Sequence, residues 1–211
     1  GHFMIIEPKV RGFICTTSHP EGCKENVRKQ ITYIKNLPKC NGPKKVLVIG
    51  ASTGYGLASR IASTYGCDAA TIGVIFDKPA SGSRTATAGW YNTAAFEEFA
   101  AKDGYYAKTI NGDAFSAEIK KQTIDLIKQE LGQIDCVVYS LAAPKRTTSD
   151  GTTYTSVLKC TGEDFVNTTV DLKTKEIVEV TVSKATEQEI HDTIKVMGGE
   201  DWKDWMTALN E

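Results

Sequence analysis

From residue 44 to residue 145, runs of branched apolar residues alternate with segments whose apolar residues return every three or four positions. Lys44-Lys45 lead into Val46-Leu47-Val48-Ile49, which stops at Gly50. An unbroken apolar run of that length fits a strand buried on both faces, as in a parallel sheet. Leu57, Ile61 and Tyr65 then recur at intervals of four and predict a helix from about Gly56 to Tyr65, ended by Gly66. Thr71 to Phe76 predicts a second buried strand, closed by Asp77-Lys78-Pro79, where proline lacks the amide hydrogen that would continue a ladder. A loop rich in Ser, Gly and Thr runs from Ala80 to Gly89, and Asn92 is placed to cap a helix reaching Lys102, broken by Gly104. Tyr105 to Ile110 predicts a third strand, and Asn111-Gly112-Asp113 a turn. Ser116 can cap the next helix, whose apolar positions are Ile119, Thr123, Leu126, Ile127 and Leu131; Ile134 to Ser140 predicts a fourth strand. Four strands, each followed by a helix or loop, predict an α/β fold with a parallel sheet and right-handed crossovers.

The flanks follow other patterns. Glu21 to Leu37 reads as an amphipathic helix with Val27, Ile31, Ile34 and Leu37 on one face, preceded by an extended segment from Met4 to Thr17. Gly1-His2-Phe3 ahead of Met4 look like an expression-vector remnant, so the natural chain is expected to start at Met4. Beyond the 44–145 core, residues 146–184 form a threonine-rich, β-rich insertion. There Ile177-Val178-Glu179-Val180-Thr181-Val182 alternates with period two, and Thr174-Lys175 would turn a small hairpin. Residues 185–211 hold two terminal helices, Thr186 to Met197 and Asp201 to Leu209, separated by Gly198-Gly199. Without an internal repeat or a low-complexity linker, residues 4–211 are expected to form one domain.

Chemistry is written first in the turn after the first strand, Gly50-Ala51-Ser52-Thr53-Gly54-Tyr55-Gly56. The spacing G-x-x-x-G-x-G lets a backbone turn sharply, approach a pyrophosphate and present helix N-terminal amides to it. Gly50 permits the turn, Gly54 removes a side chain where phosphate comes near, Gly56 lets the helix pack on the strand, and Ser52 and Thr53 add hydroxyl donors. No Gly-Lys-Ser/Thr follows, so a P-loop is excluded. Asp77 lies 21 residues after Gly56, where an acid meets the adenosine ribose hydroxyls in dinucleotide-binding folds; otherwise it is a solvent-exposed aspartate opening a turn before Pro79. Asp113 is placed either to reach the adenine or simply to start the following helix. Ser140-Leu141-Ala142-Ala143-Pro144 would lie beside the nicotinamide ribose, though small residues also turn chains. The expected architecture is the first half of a Rossmann-like, doubly wound parallel sheet.

Composition works by exclusion. With 41% hydrophobic and 24% charged residues and a net charge of -1, the 211-residue chain has neither the profile of a disordered protein nor the basic footprint of a nucleic-acid binder. No apolar run approaches a membrane span and no signal peptide opens the chain, so a soluble cytoplasmic protein is expected. Six cysteines (15, 23, 40, 67, 136 and 160) include no C-x-x-C pair, and His19 and His191 stand far apart, so no metal site is assigned. Disulfides are not expected. Cys67 and Cys136 read as small buried residues in or beside strands, and no cysteine has the base partner a nucleophile needs.

The opening Ile5-Ile6-Glu7-Pro8-Lys9-Val10-Arg11-Gly12-Phe13-Ile14-Cys15-Thr16-Thr17 resembles the start of the NADH-dependent trans-2-enoyl-CoA/enoyl-acyl-carrier-protein reductases, FabV type. So do His19-Pro20, Gly22-Cys23, Gly50 to Gly56, Phe76-Asp77-Lys78-Pro79, Ala88-Gly89-Trp90-Tyr91-Asn92, Asn111-Gly112-Asp113-Ala114-Phe115 and Val138-Tyr139-Ser140-Leu141-Ala142. The stretch Ala185 to Ile190 with Val196-Met197-Gly198-Gly199 and Asp201-Trp202 extends the likeness over residues 4–211. The resemblance implies that Gly50, Ala51, Ser52, Thr53, Gly54 and Tyr55 bind the NADH (NAD+) pyrophosphate and that Phe76 and Asp77 bind the adenosine end. It implies that Asp113 with Ala114, and Leu141 with Ala142, contact the adenine and the ribose–nicotinamide side. Members usually carry Glu where this chain has Asp77, one methylene shorter. They also run to about twice this length, and their proton-donor tyrosine and partner lysine, in Y-x8-K, follow the segment that ends at Glu211. No catalytic residue is therefore assigned here: Tyr154 and Lys159 have the wrong spacing and Tyr139 sits in the fourth strand.

The leading expectation is the NADH-binding part of a reductase that passes hydride to an enoyl-CoA or enoyl-ACP thioester, itself inactive. The alternatives are a non-catalytic nucleotide-binding module of short-chain-dehydrogenase-like fold and a non-functional truncation. Acyl chain length, the acyl carrier and oligomeric state stay open.

Overall fold

Val46-Leu47-Val48-Ile49, wholly buried, stands near the middle of a four-stranded sheet. This computed structural model describes residues 5–11 and 14–211; residues 1–4, where the expected vector remnant and Met4 fall, and residues 12–13 of the opening motif lie outside the described residues. The chain divides into two compact units, one built on residues 5–11 and 15–141, the other on residues 14 and 142–211.

In chain order, short strands Val10–Arg11 (β1) and Ile14–Cys15 (β2) precede helix Pro20–Lys35 (α1). Then come Lys45–Ile49 (β3), Gly54–Cys67 (α2), Ala70–Ile75 (β4), Ala88–Lys102 (α3), Ala107–Asn111 (β5), Ala117–Leu126 (α4) with a π turn over Ile127–Leu131, and Cys136–Tyr139 (β6). The sheet runs β5-β4-β3-β6 with every pairing parallel: Val46 lies opposite Thr71 on one side and Cys136 on the other. Val27 and Ile31 from α1, Leu57, Ile61 and Tyr65 from α2, and Ala95, Phe96 and Ala100 from α3 close one apolar cluster. Val46, Val48, Ala51, Ala69 and Ile75 form another, joined by Cys136 and Val138. This is an α/β protein with a parallel sheet, as the alternation of periods predicts.

Several boundaries differ from those expected. Gly66 does not end α2, which runs through Cys67; Asp68 takes the left-handed conformation at φ 55° and the Ala69 N–H closes the end on Ser63 O. Asn92 is not the cap of α3. Thr87 is, its hydroxyl accepting from the Trp90 N–H, so Ala88-Gly89-Trp90 already belong to the helix although their small residues read as loop. Leu37 lies beyond the end of α1 and is exposed, because the helix stops at Lys35. Phe76 lies beyond β4, which ends at Ile75, and its side chain is 75% exposed. Ser116 caps α4 as expected, accepting from the Ile119 N–H.

Arg60, wholly buried on α2, is a charge in the apolar layer. Its Nε donates to Thr71 Oγ1 (3.1 Å), Nη1 to Thr109 Oγ1 (2.9 Å) and Nη2 to Lys108 O (2.7 Å), and the guanidinium lies 4.8 Å from the Phe96 ring centroid. Hydroxyls and a carbonyl replace hydration here, and burial pushes the guanidinium down to about 10. The space it occupies exists because residue 73 of β4 is glycine: a Cβ there would overlap the guanidinium.

The second unit contains hairpin Lys145–Thr147 (β7) with Thr153–Thr155 (β8), hairpin Phe165–Val170 (β9) with Ile177–Val182 (β10), and helices Glu187–Met197 (α5) and Glu200–Leu209 (α6). The β9–β10 ladder pairs Val170 with Ile177 across the turn predicted at Thr174-Lys175, and Lys175 takes φ 61°. Arg146, buried, donates through Nη1 to Lys195 O (2.8 Å) and Glu200 Oε1 (3.1 Å) and stands 3.7 Å from Asp204 Oδ2. Among the described residues, no helix is long and apolar enough to cross a membrane.

Replacing Arg60 with alanine leaves a cavity and three unmet hydrogen-bond partners, and is expected to destabilise the chain by about 3–5 kcal/mol. Gly73→Ala, which crowds the guanidinium instead, is expected to cost about 1–3 kcal/mol. Urea unfolding followed by circular dichroism measures both; wild-type midpoints would show that the Arg60 bonds contribute nothing net.

Candidate functional site

The carboxyl ends of β3, β4, β5 and β6 each deliver a loop that carries residues singled out above. After β3, Gly50 turns at φ 83°, where a Cβ would overlap the Ser140 carbonyl, and the Gly50 and Ala51 amides donate to Val74 O at 2.9 and 3.1 Å. Gly56 sits so close to this turn that a Cβ would overlap the Gly50 carbonyl. Backbone contact thus sets where α2 begins. Gly54, at φ 54°, has open space where its side chain would be. Thr53 is the N-cap residue of α2 but makes no side-chain capping bond, and no acid occupies the first turn. The helix therefore presents amide donors and the positive end of its dipole at the sheet edge.

Side chains from neighbouring elements hold these loops. Asn92 on α3 donates through Nδ2 to Ser52 O (3.1 Å), tying α3 to the glycine turn. Asn111 at the end of β5 grips Asp77 twice: its Oδ1 accepts from the Asp77 N–H (3.0 Å) and its Nδ2 donates to Asp77 O (2.8 Å). The Asp77 carboxylate points at the start of α3. Thr87 Oγ1 donates to Asp77 Oδ1 (2.8 Å), Oδ2 is buried with no hydrogen-bond partner, and a Cβ at Gly89 would overlap the carboxylate. Asp113 Oδ1 accepts from the Phe115 N–H (2.9 Å), and the Ser116 hydroxyl donates to Asp113 O (2.7 Å), so this acid shapes the turn into α4. Ala114, beside it, is buried.

Of the residues expected to meet a dinucleotide, Gly50 to Tyr55, Phe76, Asp77, Asp113, Ala114 and Leu141 follow the strand ends of one sheet. Tyr55 and Phe76 are 87% and 75% exposed at that edge. Leu141 is the last residue of the first unit, and Ala142 belongs to the second. Sequence reasoning missed the clamping roles of Asn111, Asn92 and Thr87; only their closeness to turns hinted at them. Tyr154 and Lys159, set aside as catalysts, have other partners: the Tyr154 ring lies 6.1 Å from that of His191, and Lys159 Nζ is 2.9 Å from Glu189 Oε2. Among the described residues, no group of three or more His, Cys, Asp or Glu is gathered for a metal ion.

Residues 5–82 match the family described as "NAD(P)H binding domain of trans-2-enoyl-CoA reductase", and residues 84–211 match "Trans-2-enoyl-CoA reductase catalytic region". The chain belongs to the trans-2-enoyl-CoA reductase family. It is 59% identical over 209 residues to the trans-2-enoyl-CoA reductase [NADH] of Ruminiclostridium cellulolyticum, an alignment covering 99% of this chain and 53% of that protein. It is 60% identical over 210 residues to the enoyl-[acyl-carrier-protein] reductase [NADH] of Shewanella sp. strain W3-18-1, covering 99% and 52%. The crystal structure of the Clostridium acetobutulicum trans-2-enoyl-CoA reductase in complex with NADH superposes with a TM-score of 0.92 at 47% identity, over 98% of this chain and 52% of that one. The chain thus spans about half the length of the reductases it matches.

Asn111→Ala removes both bonds that hold the Asp77 backbone. Each is worth about 1 kcal/mol, so amide exchange at Asp77 is expected to quicken by roughly thirtyfold, read by hydrogen-exchange mass spectrometry against unchanged exchange in β3. Unaltered exchange at Asp77 would mean the Asn111 clamp carries no load.

Proposed function

We propose that these residues are the NADH-binding part of a cytoplasmic reductase that saturates the trans-2 double bond of enoyl-CoA or enoyl-ACP thioesters. In this reading residues 4–211 form the first half of a Rossmann-like, doubly wound fold, with residues 146–184 inserted after the fourth strand. The observation that carries it is the glycine turn, where two missing Cβ atoms bring a helix N-terminus without a side-chain cap to the carboxyl edge of a parallel sheet.

The residues present fit the cofactor. Gly50, Ala51, Ser52, Thr53, Gly54 and Tyr55 hold the pyrophosphate, with the Gly54 vacancy admitting it. Phe76 offers an exposed ring to the adenosine end, and Asp77, on turning its carboxylate away from Thr87, accepts from the ribose hydroxyls. Asp113 and Ala114 line the adenine, and Leu141 and Ala142 the ribose–nicotinamide side. NADH, when bound, supplies a hydride to the β-carbon of the enoyl thioester while a proton reaches the α-carbon, giving NAD+ and the saturated thioester. The protein's share in this chain is positioning. The proton donor lies outside these 211 residues, a reading supported by the other engagements of Tyr154 and Lys159 and by the greater length of the relatives.

Asp77 sets the cofactor preference. In NADPH its carboxylate would face the 2′-phosphate, and such a partly desolvated like-charge contact costs a few kcal/mol, roughly a hundredfold in affinity. Lys78 and Arg84 stand near in sequence and offset part of this. NADH is expected to bind more tightly, and Asp77→Ser to narrow the gap mainly by improving NADPH. Calorimetric titration with both cofactors checks this, and the ratio is insensitive to any general loosening of α3. Equal affinities in the wild type would take Asp77 out of the ribose site.

The 211-residue chain is expected to bind NADH yet show no measurable reduction of crotonyl-CoA, since a missing positioned acid alone costs roughly 10²–10⁴-fold. Turnover in an NADH absorbance assay near that of a full-length relative would place the donor among residues 4–211.

A further inference from the structure

The other end of α2 carries a feature unrelated to the glycine turn. Residues 36–44, which link α1 to β3, pass along the last turn of α2 and are pinned there. The Cys40 N–H donates to Gly66 O (2.9 Å), Lys39 Nζ to Tyr65 O (2.6 Å) and Asp68 Oδ1 (3.0 Å), and Lys44 Nζ to Cys67 O (2.5 Å). These bonds bring Cys40 Sγ to 2.8 Å from Cys67 Sγ. Two carbon or sulfur atoms not bonded to each other normally stay at least about 3.5 Å apart, so nothing fits between these thiols. Residue 42 makes the approach possible: a Cβ on Gly42 would lie 2.7 Å from Cys67 Sγ. The members of the pair differ in access, Cys40 being exposed and Cys67 buried.

We propose that Cys40 and Cys67 are a thiol modification site, converted by peroxides into an intramolecular disulfide that ties the α1–β3 link to the end of α2. The steps balance. Sulfur of the exposed Cys40, as thiolate, attacks one oxygen of hydrogen peroxide; the O–O bond breaks, the departing hydroxide takes up the proton the thiol released on ionising and leaves as water, and Cys40 becomes a sulfenic acid. The Cys67 sulfur then attacks the Cys40 sulfur, the S–O bond breaks, and a second water carries off the hydroxyl with the Cys67 proton. Two electrons pass from the two thiols to one peroxide. The hydrogen bond with Cys40 and burial raise the Cys67 thiol above its ordinary value, which leaves the first attack to the exposed Cys40. A dithiol reductant reverses the reaction by exchange. α2 is 14 residues long, so the pair lies about 20 Å from the glycine turn, and the inference stands apart from the cofactor reading.

The test treats the reduced 211-residue chain with a small excess of hydrogen peroxide, alkylates remaining thiols and maps peptides without reduction. The expected product is a Cys40–Cys67 linked peptide that dithiothreitol abolishes, with Cys15, Cys23, Cys136 and Cys160 still alkylated. The oxidised chain should also unfold at a higher temperature than the reduced one. Cys40→Ser, an exposed change that leaves the reduced unfolding temperature in place, should abolish both the linked peptide and the gain. Cys67→Ser should leave a sulfenic acid on Cys40 that dimedone captures. Absence of the linked peptide, links scattered among all six cysteines, or chain-to-chain dimers as the main product would overturn the proposal.

Discussion

A Cβ on Gly56 would overlap the carbonyl oxygen of Gly50, and a Cβ on Gly50 would overlap that of Ser140. Three elements meet through these two gaps: the end of β3, the first turn of α2 and the residue after β6. Because the contacts are between backbones, they leave no side-chain rotamer through which the turn could relax. The position of the α2 amides is therefore set by covalent geometry and the sheet, and the positive end of the helix dipole is held in place by backbone contacts. The other loops at this edge are arranged around that fixed point.

Their arrangement relies on polar side chains where the turn relies on missing ones. The apolar clusters set the sheet and its helices, yet an apolar contact has no direction and cannot specify how a loop leaves a strand. Asn111 does so for Asp77 by matching one donor and one acceptor to the same peptide, and Asn92 does so for the glycine turn. Thr87 serves twice, accepting from the Trp90 N–H while donating to Asp77, so the start of α3 and the direction of the acid are set together.

The parallel sheet was legible because its signal is local: Val46 to Ile49 cannot be satisfied at a surface, and the interval of four from Leu57 to Tyr65 has one helical meaning. The glycine turn was legible for the same reason. Helix ends were harder. Gly66 reads as a stop, but the chain leaves α2 two residues later because Asp68 adopts the left-handed conformation. Asn92 reads as a cap, but a threonine five residues earlier reaches the first free amides. The sulfur contact and the Asn111 clamp were invisible. They join residues 27 and 34 positions apart, and nothing in either neighbourhood announces the other.

Arg60 and Gly73 belong to that last class, and their geometry bears on how relatives of this chain can drift apart. A side chain at position 73 and a guanidinium at position 60 claim the same volume, so a change at either position is felt at the other. A methyl group gained on β4 makes the Arg60 guanidinium shift, and shortening residue 60 to make room strands Thr71, Thr109 and the Lys108 carbonyl without their donor. The passage to a wholly apolar layer thus needs several exchanges with unstable intermediates between them. A glycine in mid-strand, a poor strand former by itself, is retained here by the cation it makes room for.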